Sequence, residues 1–134
     1  MNDPYPHEQV FVRLGPSAIH GIGVFALRNI AAGTNVFPND QRPIRWVSAS
    51  ELALLALPPF ERVFYEDFAI RRGDAFGCPE NFNLLTAGWY VNEPKPGEPA
   101  NLLATPDFQL IASRDIADGE ELTIVYASFS SGET

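Results

Sequence analysis

Near its C-terminus the chain reads Ile111-Ala112-Ser113-Arg114-Asp115-Ile116-Ala117-Asp118-Gly119-Glu120-Glu121-Leu122-Thr123-Ile124-Val125-Tyr126. Phe108 to Ser113 and Glu121 to Tyr126 are apolar runs rich in β-formers, and the polar segment between them closes on a glycine. That pattern predicts two short strands joined through a turn, with Leu122, Ile124 and Tyr126 on one face of the second. The same turn occurs once more. Arg28-Asn29-Ile30-Ala31-Ala32-Gly33 echoes Arg114-Asp115-Ile116-Ala117-Asp118-Gly119, again after one apolar run and before another. In both copies the isoleucine is placed to anchor the chain in a core, and the glycine to supply a positive φ. The spacing is too irregular for a solenoid.

Outward from these turns, the 10 glycines and 12 prolines are scattered as punctuation and mark no linker. Short segments between them read as further strands: Val10 to Leu14, Gly23 to Leu27, Asn35 to Phe37, and Trp89 to Val91. Ser48 with Glu51 three residues on is a capping-box pattern, which predicts a helix over Glu51 to Leu57, stopped by Pro58-Pro59. Phe60, Phe64 and Phe68 recur every four residues, which fits another helical stretch, although Val63-Phe64-Tyr65 fits a strand equally well. Gly73 to Gly88 and the proline-rich Glu93 to Ala100 are expected to be irregular.

At 134 residues, with 46% apolar and 19% charged residues, the chain has the proportions of a single folded domain, residues 1–134. Its apolar runs are too short to span a bilayer. Met1-Asn2-Asp3-Pro4 has no basic region or following apolar stretch, so no secretory signal is expected and cytoplasm is the expected compartment. Cys78 with His7 and His20 supplies neither a disulfide framework nor a zinc site, so no metal is expected. The net charge of −8 is unevenly placed. Residues 1–72 hold seven acids and seven bases; residues 73–134 hold ten acids against Lys95 and Arg114. Direct nucleic-acid binding is disfavoured there, because affinity for phosphates comes from Lys and Arg. A basic protein or peptide would be drawn in.

Three constellations could carry chemistry. In Ser17-Ala18-Ile19-His20-Gly21-Ile22-Gly23-Val24-Phe25 a Gly-x-Gly enters a strand, as either a tight turn or a backbone that a ligand can approach closely. The third glycine and the following helix of a dinucleotide fingerprint are missing. Asn92 ends Trp89-Tyr90-Val91-Asn92-Glu93-Pro94, where its amide could cap the loop or donate to and accept from a zwitterion. Tyr126 could be a core aromatic with a tied hydroxyl or a site residue.

Taken in order along the chain, the Gly21 block, the Arg28 turn, the Tyr90-Val91-Asn92 loop and the Ile111 to Tyr126 block resemble a SET domain over about residues 8–129. The length is like that of minimal, stand-alone members. The resemblance implies a mainly β, β-clip fold of short sheets with one or two short helices and a C-terminal pseudoknot. It implies an S-adenosylmethionine-dependent methyltransferase acting on a protein lysine. By position, the backbone of His20, Gly21, Ile22 and Gly23 would hold S-adenosylmethionine, Asn92 would bind its amino-acid end, and the Glu93 backbone would face the adenine. Tyr126 would be catalytic, and Tyr90 and Phe129 would line a substrate channel for lysine. A symmetric homodimer is compatible with the analogy. The sequence departs from the family pattern in Glu93, where a histidine is usual, in Val125, where an acid is usual, and in Trp89, where an arginine is usual. These departures leave a rival reading, a catalytically weak or inactive binding module for a basic segment.

Overall fold

A computed structural model describes residues 9–38, 40 and 44–125. Among the described residues, three small antiparallel sheets are arranged with two short α-helices. Strands β1 (Val12–Pro16), β2 (Ile22–Ala26), β3 (Ile44–Ser48), β4 (Ile70–Arg72), β5 (Ala75–Pro79), β6 (Leu102–Ala104), β7 (Leu110–Ala112) and β8 (Glu121–Leu122) form sheets ordered β1-β2-β8, β3-β5-β4 and β6-β7. Helices α1 (Ala49–Leu55) and α2 (Pro59–Phe68) lie between β3 and β4.

The echoed turns are paired with each other. Ile30 and Ile116 exchange both backbone hydrogen bonds at 2.8 Å, although they come from opposite ends of the chain. The side chains complete the symmetry. Asp115 Oδ1 accepts from the amide of Ala32, and Asn29 Oδ1 accepts from the amide of Asp118, each at 2.9 Å. Gly33 donates to Ala112 and Gly119 to Ala26, with φ of 90° and 86°. The flanking residues answer one another too: Val24 pairs with Leu122, and Val36 donates to Leu110. Val24, Ala26, Ile30 and Val36 and their counterparts Leu110, Ala112, Ile116 and Leu122 are all buried, in a core shared with Phe37, Val91, Leu102 and Ile124. The hydrophobic effect therefore acts where two remote segments meet, and hydrogen bonds fix their register.

Ser48 and Glu51 form the capping box: Ser48 Oγ accepts from the Glu51 amide at 3.1 Å, and Glu51 Oε1 accepts from the Ser48 amide at 3.0 Å. The helix begins two residues earlier than its sequence pattern indicates and ends at Ala56 in the left-handed region, φ 51°. Phe60, Phe64 and Phe68 do lie on a helix, α2.

Several expectations require correction: Asn35 to Phe37 holds one isolated bridge, Asn35 with Ile111, rather than a strand. Ala75–Pro79 lies within the segment expected to be irregular, yet it is the central strand of its sheet. Its Gly77 hides the strand signal and has a packing reason: a Cβ there would lie 2.8 Å from the Trp46 ring on β3. Trp89 to Val91 is not a strand but the end of a 3₁₀ turn, Ala87–Tyr90. Its amides close locally, Trp89 onto Thr86 and Val91 onto Gly88.

The C-terminal segment enters between two loops. Thr123 bridges Asn92 on one side, and its carbonyl accepts from Leu102 on the other. Asn101, 1% exposed, accepts from the Thr123 amide and donates to the Glu121 carbonyl. The pseudoknot expectation extends into residues 126–134, outside the described residues.

Truncating either Ile30 or Ile116 to alanine is expected to destabilise the fold by about 2–5 kcal/mol, with similar losses for the two, as read by urea unfolding. A second prediction concerns pH. The Arg114 guanidinium beside Glu120 holds its carboxyl below its ordinary value of 4.5, aided by the Ala117 amide and Asn101. Such a depressed carboxyl stabilises the fold above the unfolded value, and that contribution is lost as pH falls through the folded one. Wild type and Glu120→Gln should therefore differ in melting temperature near neutrality and converge as pH drops well below 4.5.

Candidate functional site

The loop between β1 and β2 is closed on itself by Ser17. The Ser17 amide donates to the Gly21 carbonyl at 2.8 Å, while its hydroxyl accepts from the amides of Ile19 at 2.9 Å and His20 at 3.2 Å. Gly21 takes a φ of 50°, a conformation that costs glycine little. A Cβ there would meet nothing within 4 Å, so the turn borders open space.

Asn92, distant in sequence, lies against this loop. Its carbonyl accepts from the Ile124 amide at 3.0 Å, which fixes its backbone against the C-terminal segment. Its side chain is buried, and the amide nitrogen lies near four acceptors: His20 O at 3.0 Å, Glu121 Oε2 at 3.1 Å, Ser17 Oγ at 3.2 Å and Ile22 O at 3.3 Å. An NH₂ group has two hydrogens to share among them. A reversed amide would set oxygen against two carbonyls and a carboxylate, so its orientation is determined. The Asn92 Oδ1 has no hydrogen-bond partner among the described residues.

Glu121 on β8 closes the network. Ser17 Oγ lies 2.9 and 2.8 Å from its two carboxylate oxygens. The carboxylate fits because Gly23 on β2 has no side chain; a Cβ there would lie 2.9 Å from Glu121 Cδ and 3.0 Å from Ser17 Cβ.

The Ser17–Ile22 loop and the Asn92 segment face each other across a cleft of about 640 Å³. Ala18 to Ile22 form one side, and Trp89 to Pro96 the other. Phe68, at the end of α2, also lines it and meets Tyr90 edge-on, with ring centres 5.6 Å apart. His20, Gly21, Ile22, Tyr90, Asn92 and Glu93 thus share one cavity. Gly23 lies outside its lining, buried against Glu121. Tyr126 and Phe129 lie outside the described residues. The sequence alone points to no part for Phe68, Ser17 or Glu121 in a site. Phe68 was visible as one of three phenylalanines at a spacing of four, which marks a helix but not where that helix ends. Ser17 precedes the Gly-x-Gly and Glu121 opens the last strand, and nothing local says that they touch.

The cleft has the volume of a small-molecule site, mostly apolar walls, and a few polar groups from backbone and Asn92. The SET domain family profile matches the sequence over residues 21–127, which contain both echoed turns, Asn92 and the C-terminal strand. The chain belongs to the SET-domain family. SET-domain proteins are generally methyltransferases that use S-adenosylmethionine. Two solved structures illustrate the likeness. One is a candidate histone methyltransferase of Plasmodium falciparum, with TM-score 0.48 and 19% identity, covering 86% of this chain and 91% of that one. The other is a humanized mutant of the Chaetomium thermophilum Polycomb Repressive Complex 2 bound to an inhibitor, with TM-score 0.52 and 20% identity, covering 90% of this chain but 15% of that one. At such identity the second likeness is one of SET-domain fold. None of the curated proteins matches the sequence.

Replacing Gly23 by alanine should push the Glu121 carboxylate off Ser17 and Asn92 and destabilise the domain by about 1–3 kcal/mol. Thermal melting and the loss of protection of the Ile19 and His20 amides in hydrogen exchange would measure this.

Proposed function

We propose that the chain is an S-adenosylmethionine-dependent protein-lysine N-methyltransferase. The observation that carries this reading is Asn92, whose NH₂ is committed to the protein and whose Oδ1 is left to accept at the edge of the cleft. A lone acceptor beside a loop of backbone carbonyls suits the ammonium of an amino acid. Gly21 borders open space on the opposite side. His20, Gly21, Ile22, Asn92 and the Glu93 backbone would hold S-adenosylmethionine. Bound there, that cofactor supplies an electrophilic methyl group on a sulfonium.

The remaining work falls to this chain's own residues. A lysine ammonium titrates near ~10.4 in water and attacks only when neutral, so the channel must favour the free amine. Apolar and aromatic walls do this by disfavouring charge, and Tyr90, which lines the cleft, would contribute such a wall. The phenol of Tyr126 would orient the amine, and Phe129 would close the channel around it. The ten acids of residues 73–134 would steer a basic protein segment toward the site.

A second reading, a SET-like module that binds a basic segment without turnover, draws on Val125 and Glu93, which stand where the family usually has an acid and a histidine.

Titration calorimetry with S-adenosylmethionine separates the readings from failure of both. Wild type should release or absorb heat with one-site binding, and Asn92→Ala should weaken it at least about tenfold. In methyl transfer to lysine-rich peptides, Tyr126→Phe should retain donor binding while losing about 10²-fold or more in rate. No binding by wild type overturns the proposal. Donor and peptide binding without transfer favours the module.

A further inference from the structure

We infer that Glu121 is the positioning residue of the cleft: its carboxylate, acting through Ser17 and Asn92, sets the Asn92 amide so that Oδ1 is the atom offered to a ligand. The inference rests on the proposed donor site and adds a residue outside the cleft lining.

An ionised carboxylate accepts and never donates, so every group that contacts it must present hydrogen. Ser17 Oγ does so within 2.9 Å of both oxygens, and Asn92 Nδ2 does so at 3.1 Å. Committing the Ser17 hydrogen to Glu121 leaves the hydroxyl lone pairs for the amides of Ile19 and His20. The shape of the loop therefore depends on the carboxylate, and so does the position of the His20 carbonyl, the nearest acceptor to Asn92. Glu121 thus acts on Asn92 twice, directly and through the loop opposite. A charged acceptor also polarises the amide it binds, which makes Oδ1 a stronger acceptor. Gly23 and the Phe25–Glu121 pairing hold the carboxylate in place.

Glu121→Gln tests this with little change of shape. The new NH₂ must confront either Ser17 or Asn92, both of which are already donors. S-adenosylmethionine affinity and its KM should weaken by about ten- to a hundredfold, while kcat at saturating donor stays within about twofold. Glu121→Asp keeps an acceptor of the same charge and should recover part of the loss. Wild-type affinity in Glu121→Gln, or a fall in kcat with KM unchanged, overturns the inference. If Glu121→Gln does not fold, Ser17→Ala replaces it: a weaker donor affinity in the folded variant supports the inference, and an unchanged one overturns it. Absence of donor binding by wild type strikes the functional proposal instead. The inference then stands or falls on the Asn92 side-chain NH₂ resonances in ¹⁵N spectra, which should shift in Glu121→Gln and Ser17→Ala; unshifted resonances overturn it.

Discussion

The reciprocal pairing of Ile30 with Ile116 is the constraint from which the rest of the domain hangs. Two six-residue turns from opposite ends of the chain exchange backbone hydrogen bonds, cap each other's amides through Asn29 and Asp115, and bury an isoleucine apiece. Register in this arrangement admits little slack. A slip of one residue would turn Val24 and Leu122, both wholly buried, toward the opposite face. Because β2, which enters one turn, and β8, which leaves the other, run side by side, Gly23 and Glu121 come together, and the loop anchored by Ser17 is carried with them.

The cleft is then a consequence of where segments end. Strand β1 hands over to a loop that Ser17 closes, and the chain before Asn92 closes on itself in a 3₁₀ turn. The two stop at the same place because Asn92 is stitched both to that loop and to the C-terminal segment. Polar atoms in this region are shared rather than surplus: one amide nitrogen serves four acceptors, and one hydroxyl joins a carboxylate to two amides. Such a network is costly to half-complete, which restrains the loop without any covalent tie.

How much of this could be read from the chain alone depended on whether the signal was local. The capping box of Ser48 and Glu51 is a four-residue pattern and formed as its chemistry requires. The repeated Ile and Gly were legible as similar turns, yet nothing in either copy says that the two should bind one another. Gly77 misled because its cause, the Trp46 ring, sits on a different strand. Trp89 to Val91 has strand composition, yet its amides close locally in a 3₁₀ turn, which composition alone does not announce. His20, Gly21, Ile22 and Asn92 could be tied to one site through the family resemblance, whereas Ser17 and Glu121 required the register of β2 and β8. Tyr126 and Phe129 remain readings from that resemblance.

The mutual dependence of the two turns also bears on how the chain acquires its shape. Val24, Ala26, Ile30 and Val36 leave the ribosome well before Leu110, Ala112, Ile116 and Leu122. At about 5–20 residues per second, the early arm waits for some seconds with its apolar side chains unmatched. Contacts of such long sequence separation delay the folding transition and leave sticky surface exposed meanwhile. Synthesis speed and chaperone access, quite apart from final stability, thereby become determinants of how much working protein a cell obtains.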